Sequence, residues 1–466
     1  MRGKLGLYWM LPARILGWLG GFGAILLAAR LLGTGLFGAF SIALAVWGLV
    51  IEAVTLGYPR LLIRELPGHA VPSRLIGTVL SLEAGVATAA SLGLAVAVAW
   101  HGDPWLSTGL AWLIPAALAL PLLTVPSPVA QADQNWSASM LLDIGMPLLW
   151  CLFMLAVWAG LAPVSYVWAP LTAAVILWAV IGGAWALHRT GCARPQLDLA
   201  RILGRESLLI GVSILLGSLY NKFDLFLLRG AIPAESHGLY AAAVMLYMNG
   251  VGFSGVWVTA LYPVLTAHAR DEVHRRGWIE TRHTFGLLAA LAVGYCVAQG
   301  DWFGRLIMGS AFSGMGSLLT AFFCLLPLQV GNMFLDSLLV ARRKSASLPL
   351  ISATGLGISI VGGLLLIPRW GVTAALGLRF AIEALVGGLK LWVIRDMAVA
   401  AVGPMSAVRE VAGWVATGLA VAAGSGLLAP VSSWLGLAWA ALVAMVILRH
   451  LMRRYAGFVA AAATSS

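Results

Sequence analysis

Apolar stretches of about 20 residues follow one another along this chain with only short polar links, and that repetition decides what it can fold into. A helix rises about 1.5 Å per residue, so about 20 apolar residues cross the hydrocarbon core of a bilayer. Inside lipid every backbone polar group must be satisfied within the span, which leaves helices or closed barrels. Stretches of this length are helical; barrel strands are about half as long. Fourteen are read, at 8–30, 36–59, 75–100, 107–131, 136–160, 164–187, 206–229, 237–266, 283–300, 315–341, 346–367, 371–394, 409–428 and 432–450. Charged residues make up 10% of the chain, against about 25% in soluble domains. The expected fold is an all-α polytopic membrane protein with 14 transmembrane helices. The basic start of "MRGKLGLYWMLPARILGWLGG" looks like a signal peptide, but no small-residue cleavage site follows. It is read as a retained first helix.

Charge sorts the links into two sets. One comprises Arg2, Lys4 and Arg14; Arg60, Arg64 and Arg74; Arg189, Arg194, Arg201 and Arg205; and Arg270, Arg275, Arg276 and Arg282. It continues with Arg342, Arg343 and Lys344; Lys390, Arg395 and Arg409; and Arg449, Arg453 and Arg454, in all 23 of the 29 Lys and Arg residues. The other set holds Arg30, Arg229, Arg305 and Arg369. An even number of crossings separates every link of the first set, so the positive-inside rule places both termini in the cytoplasm. The 132–136 link is the exception, being on that side without a Lys or Arg. The net charge of +11 is thereby explained by orientation, with no nucleic-acid partner required. None of the links is long enough for a catalytic domain. Cys151, Cys192, Cys296 and Cys324 form no CxxC and no Cys/His spacing, so neither a metal site nor a cofactor is expected. Many of the 20 Trp residues fall near span ends, for example Trp100, Trp105, Trp302 and Trp370, as interface anchors do.

The chain repeats itself. "ARLLGTGLFGAFSIALAV" (29–46) and "LRGAIPAESHGLYAAAVML" (228–246) each end an apolar helix on arginine, turn, and restart with Gly-x-aromatic: Gly38 and Phe40, then Gly238 and Tyr240. Helices 1–6 and 7–12 then form two pseudo-symmetric six-helix bundles related by an axis along the membrane normal, a known transporter design. The expected domains are an N-terminal bundle (1–188), a cytoplasmic linker (189–205), a C-terminal bundle (206–395) and two further helices with a cytoplasmic tail (396–466).

The segments 26–66 and 215–246 resemble helix pairs of bacterial polysaccharide flippases. These are the O-antigen and exopolysaccharide repeat-unit translocases of the multidrug/oligosaccharidyl-lipid/polysaccharide exporter superfamily. The elements that carry the likeness are Arg30-Leu-Leu-Gly33, Gly38-x-Phe40, Gly57, Arg64-Glu65, Asp224 and Gly238-x-Tyr240. The resemblance implies two bundles in a V around a central cavity. It implies movement of an undecaprenyl-diphosphate-linked oligosaccharide from the cytoplasmic to the periplasmic leaflet of the bacterial inner membrane, by alternating access. Polysaccharide polymerase or export machinery are the partners it suggests.

Charges within the spans point the same way. "YNKFDLFLLRG" (220–230) places Lys222 and Asp224 two apart, where helical side chains diverge. Each therefore needs a partner, water or substrate elsewhere. Lys222 can offer a compact cation to a diphosphate; Asp224 can fix helix 7 or carry a proton. Arg379 and Glu383, one turn apart, either neutralise each other or leave Arg379 as a second phosphate contact. Arg30 is a candidate for the periplasmic headgroups or the substrate, and Arg64 for substrate recruitment at the cytoplasmic mouth. Glu52, Glu83 and Asp143 are candidates for taking up a proton or sodium ion and coupling transport to a gradient. Asp336 is either a coupling site or an interhelical hydrogen-bonding group. Glycines crowd helices 1 and 8, and Pro115, Pro121, Pro126 and Pro128 are expected to kink helix 4.

Competing functions remain open at this level. A multidrug or small-cation exporter of the same superfamily calls for a net acidic cavity, which Lys222 and Arg379 oppose. Lipid II translocation requires the same chemistry as glycan flipping. A membrane glycosyltransferase or polysaccharide polymerase needs acid pairs or Arg/His clusters on a large loop, and the periplasmic links are short and nearly chargeless.

Overall fold

The computed structural model describes residues 2–66, 71–100, 102–267, 271–342, 344–395 and 404–464. Every regular element among them is helical. In chain order these are α1 (Arg2–Thr55), α2 (Tyr58–Glu65), α3 (Pro72–Trp100), α4 (Pro104–Thr124), α5 (Pro126–Ala132), α6 (Trp136–Trp158) and α7 (Ala169–Thr190). There follow α8 (Leu197–Ala231), α9 (Ala234–Ala267), α10 (Asp271–Met308), α11 (Gly316–Ala341), α12 (Leu348–Val393), α13 (Pro404–Leu428) and α14 (Ser433–Thr464).

Among the described residues helices cover the fourteen expected spans, redistributed by glycine and proline, and ten helices are long and apolar enough to cross a membrane. α1 and α12 each carry two spans, broken at Gly33 (φ 62°, ψ −177°) and Gly371 (φ 53°, ψ −127°). A left-handed backbone of this kind is open to glycine and strained for other residues. At Gly33 a Cβ would meet nothing within 4 Å, so the backbone angle alone demands glycine. Span 4 is divided instead: α4 stops at Thr124, directly before the Pro126 and Pro128 of α5. Asp103 caps α4, accepting from the backbone N–H of Trp105 and Leu106 at 3.0 and 3.2 Å. α2 lies at the link between the second and third expected spans. Its Tyr58, Leu61 and Leu62 are buried against Leu75, Ile76, Val79 and Val129, which pins that link to the bundle.

The chain divides into two compact units, Met1–Lys222 and Phe223–Ser466. The division falls inside α8, whereas the linker was expected at 189–205, where α8 has already begun at Leu197. In the first unit α4 is central, packed against α1, α3 and α7. α1 and α6 approach closely because Gly17 and Gly20 face Ile144 and Leu148, leaving only 3.0–3.1 Å for an added Cβ. The cation-free 132–136 link receives its counter-charge from a neighbour: Arg189 Nε lies 2.8 Å from Asp133 Oδ2.

In the second unit α11, also a fourth span, takes the central place against α9, α10 and α12. α13 and α14 pack on α10. Gln299, at a break in α10 (φ −142°), donates to the Ser425 carbonyl at 2.9 Å. Large apolar side chains such as Leu92, Leu152, Val180 and Leu365 are exposed on both units, as lipid-facing positions are.

The docking of α13 rests on close backbone contact. A Cβ at Gly294 would lie 2.2 Å from the Gly418 carbonyl oxygen, while one at Gly357 would meet nothing within 4 Å. Gly294→Leu is expected to cost about 1–3 kcal/mol and lower the thermal midpoint in detergent. Gly357→Leu should leave that midpoint unchanged.

Candidate functional site

α8 places Lys222 and Asp224 on different faces, and each meets an opposite charge from its own unit. In the first unit the Lys222 ammonium lies 3.7 Å from Glu52 Oε1 on α1 and donates a hydrogen bond to the Ser218 hydroxyl, one turn back on α8. Gly48, one turn before Glu52, brings α1 within reach: a Cβ there would stand 3.1 Å from Lys222 Nζ. The Lys222 and Glu52 side chains remain 25% and 28% exposed.

The second unit encloses its charges more completely. Asp224 accepts from the Tyr240 hydroxyl, and from the Leu225 N–H at 2.8 Å. Arg379 Nε lies 3.5 Å from Asp224 Oδ2, with side chains 5% and 8% exposed. The guanidinium also stands 5.6 Å from the Phe322 ring centre, a cation–π distance. Tyr240 and Tyr247 pack against the same ring at 5.4 and 5.3 Å. Asp224 on α8 is thus an ion partner of Arg379; Glu383, one turn along α12, adds to the field around it. Glu383 accepts through Oε2 and its backbone carbonyl from Asn332 Nδ2, at 2.5 and 2.9 Å.

Lys390 was counted with the cytoplasmic link residues. It is buried within α12, 2.8 Å from Asp336 Oδ1, and donates to the Asn332 carbonyl at 3.2 Å. Glu83 is buried on α3 and accepts from the Thr124 hydroxyl of α4 at 2.8 Å. Asp143 is half-buried on α6, and Arg30 is exposed, three residues before the break at Gly33. The side chain of Arg64 lies outside the described residues. The structure thus joins Lys222 to Glu52, Asp224 to Arg379, and Lys390 to Asp336. It leaves Glu83, Asp143 and Arg30 at separate places.

The sequence reading gave no role to Ser218, Gly48 or the Tyr240 hydroxyl. The internal repeat carried a signal for the last. At an offset of 200 residues Asp224 and Tyr240 stand where the first repeat has Ala24 and Phe40, both buried. Carboxylate and phenol occur together at these positions in the second repeat, and neither occurs at them in the first.

Residues 6–269, over half of the 466, match the family described as "Polysaccharide biosynthesis protein". The chain belongs to that family. The polysaccharide biosynthesis match takes in Glu52, Ser218, Lys222, Asp224 and Tyr240, while Arg379, Glu383 and Lys390 lie beyond it. The fold is that of the multidrug/oligosaccharidyl-lipid/polysaccharide superfamily. The lipid II flippase MurJ, in an inward closed conformation, superposes with a TM-score of 0.71 at 10% identity, over 97% of this chain and 99% of that one. A superfamily transporter from Pyrococcus furiosus, described as having a binding pocket of reversed polarity, gives 0.54 at 14% identity, over 86% and 94%. An inward-facing multidrug resistance transporter of the MATE family gives 0.56 at 14% identity, over 84% and 94%. The cytochrome c-type biogenesis protein CcmF of Pseudomonas fluorescens is 28% identical over 157 residues, 31% of this chain; the chain covers only 23% of that protein's length. This polysaccharide biosynthesis protein is a multi-pass membrane protein.

The buried pair in its second unit sets a stability test. Asp224→Asn leaves the Arg379 guanidinium enclosed without its carboxylate, at a cost of about 3–5 kcal/mol. Tyr240→Phe removes one hydroxyl donor, for about 1–3 kcal/mol. Thermal unfolding in detergent should rank wild type, Tyr240→Phe and Asp224→Asn in that order. The double variant Asp224→Leu/Arg379→Met should recover most of the loss.

Proposed function

We propose that this transporter moves an undecaprenyl-diphosphate-linked oligosaccharide from the cytoplasmic to the periplasmic leaflet of a bacterial inner membrane, by alternating access, with both termini in the cytoplasm. The observation that carries the reading is Lys222. Family membership supports a cargo of polysaccharide chemistry, and a lipid-linked cargo of that kind carries an anionic diphosphate. That group needs a cation within the membrane that is not locked away. Arg379 and Lys390 are 5% and 6% exposed beside their carboxylates, while Lys222 is 25% exposed. An ammonium is a compact point charge suited to phosphate.

Drug and lipid carriers share this fold, so the fold does not choose between them. The charge of Lys222 speaks for an anionic head over a small cation. Arg379 then serves to hold α8 to α12 through Asp224. Glu52, Glu83 and Asp143 stay the candidates for a coupling ion, and Arg30 and Arg64 for headgroup contacts at the two membrane faces. Polymerase and export proteins are the expected neighbours in the cell.

In cells lacking the chain, the lipid-linked repeat unit should accumulate on the cytoplasmic side, where mass spectrometry identifies it. Lys222→Ala, at wild-type membrane level, should cut surface glycan about tenfold, the effect of losing one close charge contact. Normal surface glycan in that variant would contradict the reading.

A further inference from the structure

The contact between Lys222 and Glu52 is looser than the other in-membrane pairs. Its 3.7 Å separation is longer than a direct hydrogen bond, against 2.8 Å for Lys390 and Asp336 and 3.5 Å for Arg379 and Asp224. Its side chains are the more exposed of the Lys222 and Arg379 pairs. An ammonium carries three donors, and Ser218 takes one of them. Glu52 Oε2 is buried with no hydrogen-bond partner among the described residues. Both charges are held near each other, and among the described residues neither has a full set of partners. Asp224, by contrast, has Arg379, the Tyr240 hydroxyl and the Leu225 N–H around it.

We propose that Glu52 is a resident counter-ion which an incoming diphosphate displaces from Lys222, and which retakes the ammonium when the diphosphate leaves. This rests on the reading of Lys222 as a substrate contact and adds a competing partner to it. The carboxylate carries a single negative charge, and a diphosphate carries more, so the exchange favours the substrate once it is present. Ser218 keeps the ammonium in place through the exchange, since its hydroxyl lies on the same helix one turn away. Gly48 leaves the space in which the ammonium sits. Removing Glu52 takes away the competitor: binding tightens, and release slows. A carboxylate with a purely architectural role has the opposite signature, with weaker binding and a less stable protein.

The test uses the full chain in nanodiscs of neutral lipid, with undecaprenyl diphosphate as the probe. Undecaprenol, inorganic diphosphate and phosphatidylglycerol serve as separate arms. Glu52→Gln is expected to lower the Kd for undecaprenyl diphosphate about fivefold to tenfold, and Lys222→Gln to raise it about tenfold. In cells Glu52→Gln should reduce glycan export despite its tighter binding, and Glu52→Asp should restore export. Unchanged or weaker binding by a well-folded Glu52→Gln overturns the counter-ion role while leaving the substrate reading intact. If wild type prefers phosphatidylglycerol, or fails to bind undecaprenyl diphosphate, the substrate reading falls and this one with it.

Discussion

A charge placed in hydrocarbon costs at least about 2.5–3.5 kcal/mol on insertion scales, and more when nothing nearby compensates it. The architecture of this chain follows from how that cost is met on one helix. α8 carries two opposite charges that cannot reach each other. Lys222 finds Glu52 and Ser218 in the first unit, and Asp224 finds Arg379 and Tyr240 in the second. The boundary between the two units falls within this helix, between the two charges. The two arrangements differ in kind: one is enclosed and saturated with donors, the other half-exposed and incomplete. A buried pair of the first kind fixes geometry, because removing either member strands the other. A pair of the second kind can exchange partners.

The same contrast separates the two repeats. The first unit packs its opening helices through glycines against Ile144 and Leu148 and places Phe40 against Trp168 at 5.1 Å. The second substitutes Asp224 and Tyr240 at matching positions and adds Arg379 on α12. At the positions that the sequence repeat aligns, the first copy is apolar and the second carries an ion pair. In the proposed carrier, that ion pair is a strut and Lys222 is the working contact.

The helical plan was legible in the sequence because it is written as length and hydropathy, which lipid enforces segment by segment. Breaks were legible where a proline or glycine compels them, as at Pro126, but their consequences for continuity were not. Nothing local distinguishes a glycine that keeps two spans within one bent helix, such as Gly371, from one that merely packs. The start of α8 at Leu197 was missed because Asp198, Arg201 and Arg205 read as link residues, and a helix emerging from the membrane tolerates charge. That Lys222 and Asp224 must find separate partners followed from helical geometry alone. Which partners could not, because Glu52 is 170 positions away and Arg379 is 155, and one sequence carries no record of distance in space. Lys390 shows the converse error: a lysine close to a cytoplasmic run was counted with it, although Leu391, Trp392 and Val393 continue the apolar helix.

The most direct measurement is an experimental structure of the full chain in a lipid nanodisc with an undecaprenyl-diphosphate-linked glycan bound. The account predicts diphosphate density within hydrogen-bonding distance of Lys222 Nζ, the Glu52 carboxylate turned away, and Asp224 and Arg379 still joined. Density on Arg379 with its pair opened, or Lys222 pointing into lipid while the diphosphate sits elsewhere, would contradict it.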